Sequence, residues 1–285
     1  MSDPWSPRGR VSNPRRYFDR RQLRRNAPNL LIGLVVLAIV VLAITKGVQD
    51  KKVSLATIIF IGVAIPSIIF HEVSHGVVAL WRGDDTAKRA GRLTADPRPH
   101  IDPIGTIILP IAMVLFNGPV FGWARPVPIS LNKLKRPRND AVLVGLAGPA
   151  SNAILAAGAG AGLHFIMVAN PDVGARIFFT LATLQTVGGG ALYWIGTVIA
   201  FLGLANLLIG AFNLLPIPPL DGSALLERFI PVRALPDYYR IRMYLIWVVL
   251  FFVFFDRSLL STIYGHVESW YLGQIVPVSV ASQFA

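Results

Sequence analysis

The segment His71-Glu72-Val73-Ser74-His75 has the residue types and spacing of a metal-dependent hydrolase. Two histidines four apart on a helix differ by about 40° around the axis and one turn along it. Both imidazoles therefore face one point and can ligate one Zn2+. Glu72, beside the first of them, is placed to accept a proton from a water that the ion activates. The motif lies deep in an apolar helix, where ionisable groups are expensive and mark function. The competing reading is a pair of histidines hydrogen-bonded inside a helix bundle. Two histidines also need a third protein ligand and an open position for water. The chain has no cysteine and no second motif of this kind. Asp221 is the candidate. The longest uncharged run, Ile177–Leu220, ends on it, Pro216, Pro218 and Pro219 stop the helix, and Gly222 lets the backbone turn. The carboxylate can then project back into the bundle. The competing reading is an aspartate that only ends a helix in water.

The elements that must position these groups are membrane helices. Of 285 residues, 54% are hydrophobic and 15% charged, with mean hydropathy +0.57. The charges are segregated: uncharged runs such as Val53–Phe70, Ala141–Asn170 and Ile177–Leu220 take up much of the chain. This excludes disorder, collagen and coiled coil, and disfavours a water-soluble enzyme. No ten-residue alternation suggests a transmembrane barrel. The expected fold is an α-helical multi-pass membrane protein with about five to six transmembrane helices. The spans fall at about 29–45, 53–81, 140–168, 191–215 and 238–256. The stretch 104–129, broken by Gly105, Pro110, Gly118 and Pro119, reads as a re-entrant or β-hairpin segment. Residues 1–28 form an Arg-rich cytoplasmic tail, 29–256 the membrane domain with its core at about 53–222, and 257–285 a C-terminal surface segment too polar to span.

The net charge of +12 invites a nucleic-acid partner. Its distribution argues against one, because no recognition helix or base-stacking motif accompanies the basic tail. A basic flank before a span is instead the positive-inside signal and puts the N-terminus in the cytoplasm of a plasma-membrane protein. The ligands must then meet at one depth. If 104–124 re-enters, the basic stretch 125–139 stays cytoplasmic and the active site faces the cytoplasmic side. If 104–124 spans fully, that basic stretch is stranded outside.

These residues resemble the site-2 proteases, zinc metalloproteases of peptidase family M50 that cut inside membranes. The resemblance rests on HEVSH at 71–75 and NLLPIPPLDG at 213–222. It is supported by His100-Ile-Asp102-Pro103-Ile-Gly105, FGWARPVPI at 121–129 and Gly148-Pro149-Ala-Ser-Asn152, and it covers about 55 to 225. The chain is similar to the compact bacterial form without a PDZ or CBS domain. The resemblance implies one Zn2+ per chain on His71, His75 and Asp221, with Glu72 as the base. It implies that Asn213 positions substrate or stabilises the oxyanion, and Asn152 is a second candidate donor. The substrate would be a transmembrane protein in the lipid bilayer. Gly122, Trp123, Pro126 and Val127 would hold it as an extended strand on the edge of the FGWARPVPI segment. A plain connector is the competing reading of that segment. Two other functions use the same His/Asp cluster: a proteolytically silent scaffold, which has no need of Glu72, and a metal or ion transporter, which the absence of internal repeats opposes.

Overall fold

The computed structural model describes residues 54–110, 122–254 and 257–282. The Arg-rich tail and the expected span at 29–45 lie outside the described residues. Helix α1 (Leu55–Trp81) begins where the Ser54 hydroxyl accepts the Thr57 N–H at 3.1 Å, a serine N-cap. It ends where the Arg82 N–H turns back to Val78 O and Ala79 O and Gly83 takes φ +107°. Only glycine adopts that φ without strain. Helix α2 (Pro137–Ala169) starts with proline in its first turn, where a missing N–H costs nothing. Asp140, one turn in, reaches back to the Arg136 N–H at 2.8 Å. Its other oxygen meets Arg82 Nη2 at 2.6 Å. The end of α1 and the start of α2 are therefore tied together, and the chain between them leaves and returns at one end of the bundle.

Helix α3 (Pro171–Thr183) and helix α4 (Ala191–Asn213) divide the long uncharged run at the glycine triplet. Helices α1, α2 and α4, of 27, 33 and 23 residues, are long and apolar enough to cross a membrane. They pack on one another around Leu163, Met167, Ile177, Phe201 and Leu204. Apolar side chains such as Ile154 and Phe165 point outward, as a lipid-facing surface requires. Helix α5 (Ser223–Phe229) follows the Asp221 loop, and helix α6 (Leu235–Phe254) comes next. Asp237, Arg240 and Arg242 crowd the first turns of α6, which keeps it out of the spanning set. Against the five to six expected spans, three helices among the described residues are thus long and apolar enough to be candidates.

Two segments have their local structure defined. The stretch from 104 does not open as a hairpin strand, and no strand occurs among the described residues. Pro103–Ile108 is a π-helical turn because the Asp102 carboxylate accepts the Ile104 and Gly105 N–H groups at 3.0 and 2.8 Å. A capped helix start with proline at its head outcompetes pairing there. Residues 111–121 lie outside the described set. The polar C-terminal segment, expected at the surface, forms helix α7 (Arg257–Ile275) and the short helix α8 (Val278–Ala281). Tyr271, Ile275 and Val280 enter the main core, and Tyr271 Oη donates to Ala156 O at 2.9 Å. Gly203 makes room for that ring, since any Cβ there would overlap Tyr271 Oη.

Candidate metal centre

His71 and His75 occupy one face of α1, buried, about 15 and 9 Å from its Trp81 end by helical rise. The loop after α4 brings Asp221 to them. That loop closes when the Gly222 N–H donates to Asn213 O at 2.7 Å. A side chain at 222 would collide with Leu214 O, so the turn requires glycine. The Pro218–Pro219 peptide is cis. Gly145 of α2 leaves space for the Asp221 backbone.

The three donor atoms converge. Asp221 Oδ2 lies 2.9 Å from His71 Nε2 and 3.3 Å from His75 Nε2, and the two Nε2 atoms are 3.1 Å apart. His75 Nδ1 donates to Val144 O at 2.6 Å, because a carbonyl can only accept. His71 Nδ1 donates to Asn152 Oδ1 at 2.5 Å. Each neutral ring therefore turns the lone pair of Nε2 toward the other and toward Asp221. Protonated, the same imidazoles would instead donate to Asp221, and that outweighs its burial and holds the carboxyl down at about 2. Three electron-rich atoms this close are stable only around a cation or a shared proton. Tetrahedral Zn2+ with bonds of about 2.0–2.1 Å wants its ligand atoms about 3.3–3.4 Å apart, so the donor set fits zinc. Gly148 of α2 forms the wall: a Cβ there would stand 2.6 Å from His71 Nε2. The Asp221 side chain keeps 23% exposure against 5% and 8% for the histidines, so the open side of the cluster is the Asp221 side.

Glu72 Oε2 accepts the Val127 N–H at 2.9 Å. One turn on, Gly76 gives way to the Val127 and Leu93 side chains. Farther along, the buried Asp84 accepts the Ser130 N–H at 2.6 Å. The segment 122–130 thus runs beside the second half of α1. Its alternate N–H groups face the protein: Trp123 to Gly105 O, Arg125 to His100 O and Val127 to Glu72. Pro126 and Pro128 fall on the opposite edge. Trp123 and Pro126 are exposed, Gly122 is wedged against Gly105 O and Pro110, and Val127 is buried.

The two asparagines differ in placement. Asn152 is fully buried at the cluster, accepting from His71 and donating to Asn206 Oδ1 at 2.6 Å. Asn213 is half-buried, donates to Ile209 O at 2.9 Å and closes the Asp221 loop through its carbonyl. The other three histidines donate elsewhere: His100 to Thr94 O, His164 to Ile275 O and His266 to Thr262 O. Val144 and Asn206 were not anticipated from the sequence. A backbone carbonyl has no sequence signal, and a lone asparagine in an apolar helix has little.

A family model for Peptidase family M50 matches residues 56–255, which hold the whole cluster. The chain belongs to peptidase family M50. A Bacillus subtilis relative named as a zinc metalloprotease, YwhC, is 39% identical over 193 residues, covering 66% of this chain and 77% of its own. Relatives named as zinc metalloprotease Rip2 match over 162 residues, 56% of this chain and 53% of theirs. The Mycolicibacterium smegmatis protein is 30% identical and the Mycobacterium tuberculosis protein 32%. No solved structure matches the chain. The M50 chain is therefore a membrane zinc metalloprotease, a hydrolase with Zn2+ as cofactor, and His71, His75 and Asp221 form a cluster able to hold the ion.

Proposed function

We propose that this chain is an intramembrane endopeptidase of the plasma membrane that cuts transmembrane proteins in or near their spans. His71, His75 and Asp221 hold the zinc, and Glu72 is the general base. The observation that carries this reading is the meeting of three donor atoms within 3.3 Å inside a bundle of spanning helices. Zn2+ bound there supplies a Lewis acid and lowers the pKa of a water toward about 7. Glu72 takes the proton as the water oxygen attacks the peptide carbonyl, then delivers it to the departing amine. Asn152 is fully buried between His71 and Asn206, whereas Asn213 is half-buried and open to a substrate, so Asn213 is the amide that meets the developing oxyanion.

A substrate helix hides its carbonyls in i→i−4 bonds and must unwind before attack. The segment 122–130 supplies the receiving surface, with Gly122, Trp123, Pro126 and Val127 along it. The edge that carries Pro126 and Pro128 offers carbonyl acceptors and few N–H donors. An extended substrate gives more hydrogen bonds there than it receives. The Val127 N–H bond to Glu72 couples that segment to the base. The N-terminus and the basic stretch 125–139 lie in the cytoplasm, and the cluster opens toward that side.

The reading is tested with the full chain in liposomes and a panel of transmembrane peptides, the products being identified by mass spectrometry. Cuts within or beside the apolar span are expected. Cleavage confined to soluble peptides would overturn the intramembrane assignment.

A further inference from the structure

The three spanning helices meet at a run of buried polar side chains that starts at the metal centre and leads away from it. Asn152 of α2, Asn206 of α4 and Ser67 of α1 are each 2% exposed or less. The direction of every bond in this run is determined. Ser67 Oγ–H donates to Val63 O at 2.7 Å, so its oxygen is left to accept Asn206 Nδ2 at 2.8 Å. Asn206 Nδ2 also donates to Leu202 O at 2.8 Å. A carbonyl only accepts, so the Asn206 nitrogen must face Leu202 and Ser67 and its oxygen must face Asn152. That oxygen accepts Asn152 Nδ2 at 2.6 Å, which turns Asn152 Oδ1 toward His71. His71 is then protonated on Nδ1 and presents the lone pair of Nε2 to His75 and Asp221. Reversing either amide would set like groups face to face in a buried site, which costs the full desolvation of each.

The contrast with His75 shows why a second amide is needed. His75 Nδ1 meets the Val144 carbonyl, which cannot donate and needs no orienting partner. His71 meets a side-chain amide, which accepts or donates according to how it is turned. We propose that Asn206, backed by Ser67, is a positioning residue of the zinc centre. It fixes the Asn152 amide and thereby the metal-ready tautomer of His71. Gly210 serves the same contact: a Cβ there would lie 3.2 Å from Asn152 Cβ. The proposal rests on His71 being a zinc ligand.

The test uses the full chain purified in detergent, with two readouts that need no substrate. Zinc affinity is measured against a chelator, and the visible spectrum is recorded with Co2+ in place of zinc. Outer partners of metal-bound histidines typically change affinity about 10–100-fold. Asn206→Leu, apolar and of similar size, is expected to weaken zinc at least about tenfold and to alter the Co2+ bands. Ser67→Ala is expected to lose about three- to tenfold. Native affinity and native bands in folded Asn206→Leu would overturn the proposal. Should that variant not fold, the same result in Ser67→Ala overturns it. A native chain that binds no zinc at all would overturn the metal-centre reading itself, a separate and recognisable outcome.

Discussion

Gly148 lies flush against the imidazoles of His71 and His75, so that a Cβ on this glycine would stand 2.6 Å from His71 Nε2 and closer still to His75 Nε2. The backbone of α2 is therefore one wall of the metal centre. A methyl group there takes the space that the ion and its ligands need. Gly148→Ala should reduce zinc affinity by roughly 100-fold or more, the upper range for disturbed metal sites. Gly158→Ala on the same helix is the control, because nothing lies within 4 Å of a Cβ there. It should keep zinc and gain up to about 1 kcal/mol of helix stability. Equal zinc affinity in the two variants, measured by chelator competition, would contradict the geometry.

Asp84 ties the segment 122–130 to the end of α1, accepting from Ser130 N, Thr86 N and Thr86 Oγ1. Burial pushes its carboxyl up, but these hydrogen bonds and the Lys133 charge outweigh it and hold the group below the usual carboxylate range. A folded-state value below the unfolded one stabilises the fold above about pH 4 and loses that effect as pH falls through the folded value. Asp84→Asn should therefore melt about 2–8 °C lower than the native chain at neutral pH. The gap should narrow in acid. A gap that stays constant from pH 7 to pH 3 would show that Asp84 ionisation contributes nothing.

Tyr271 carries the C-terminal helix into the core, filling the space that Gly203 leaves and donating to Ala156 O. Gly203→Ala overpacks this contact and should destabilise the chain by about 1–3 kcal/mol. Tyr271→Phe removes only the hydroxyl bond and should cost about 1 kcal/mol. Denaturation in detergent distinguishes them, and a neutral Gly203→Ala would place α7 elsewhere.

The absence of cysteine makes a single introduced thiol a clean topological reporter. Arg82 bonds Asp140, so the ends of α1 and α2 share one face of the bundle, and Lys135 lies between them. Lys135→Cys should be labelled by an impermeant maleimide only from the cytoplasmic side. Labelling from outside the cell would reverse the orientation.

Much of this site was legible in the sequence because its information is local. HEVSH puts two histidines of the cluster and the proposed base together by helical spacing alone. Helix limits near 53–81, 140–168 and 191–215 agree with Leu55–Trp81, Pro137–Ala169 and Ala191–Asn213, since apolar length and Gly/Pro punctuation set them. Asp221 was reachable because a charge closing a long apolar run is rare. What escaped is non-local. Asn152 was a candidate, but its partners Asn206 and Ser67 sit on two other helices, and no spacing along the chain announces that the three touch. The stretch from 104 reads from its Gly/Pro breaks as re-entrant or β-hairpin, and such breaks do not announce the π-turn at Pro103–Ile108. The place of Tyr271 in the core has no signal either, because its helix is polar and a single aromatic side chain carries the contact.

The most direct test of the account is zinc content and peptide cleavage measured together in Glu72→Gln. Glutamine keeps the shape and cannot take the proton. The expected result is one zinc per chain, as in the native protein, with cleavage of a transmembrane peptide reduced by about 10²–10⁴-fold. Native-rate cleavage by Glu72→Gln with its zinc in place would contradict the account.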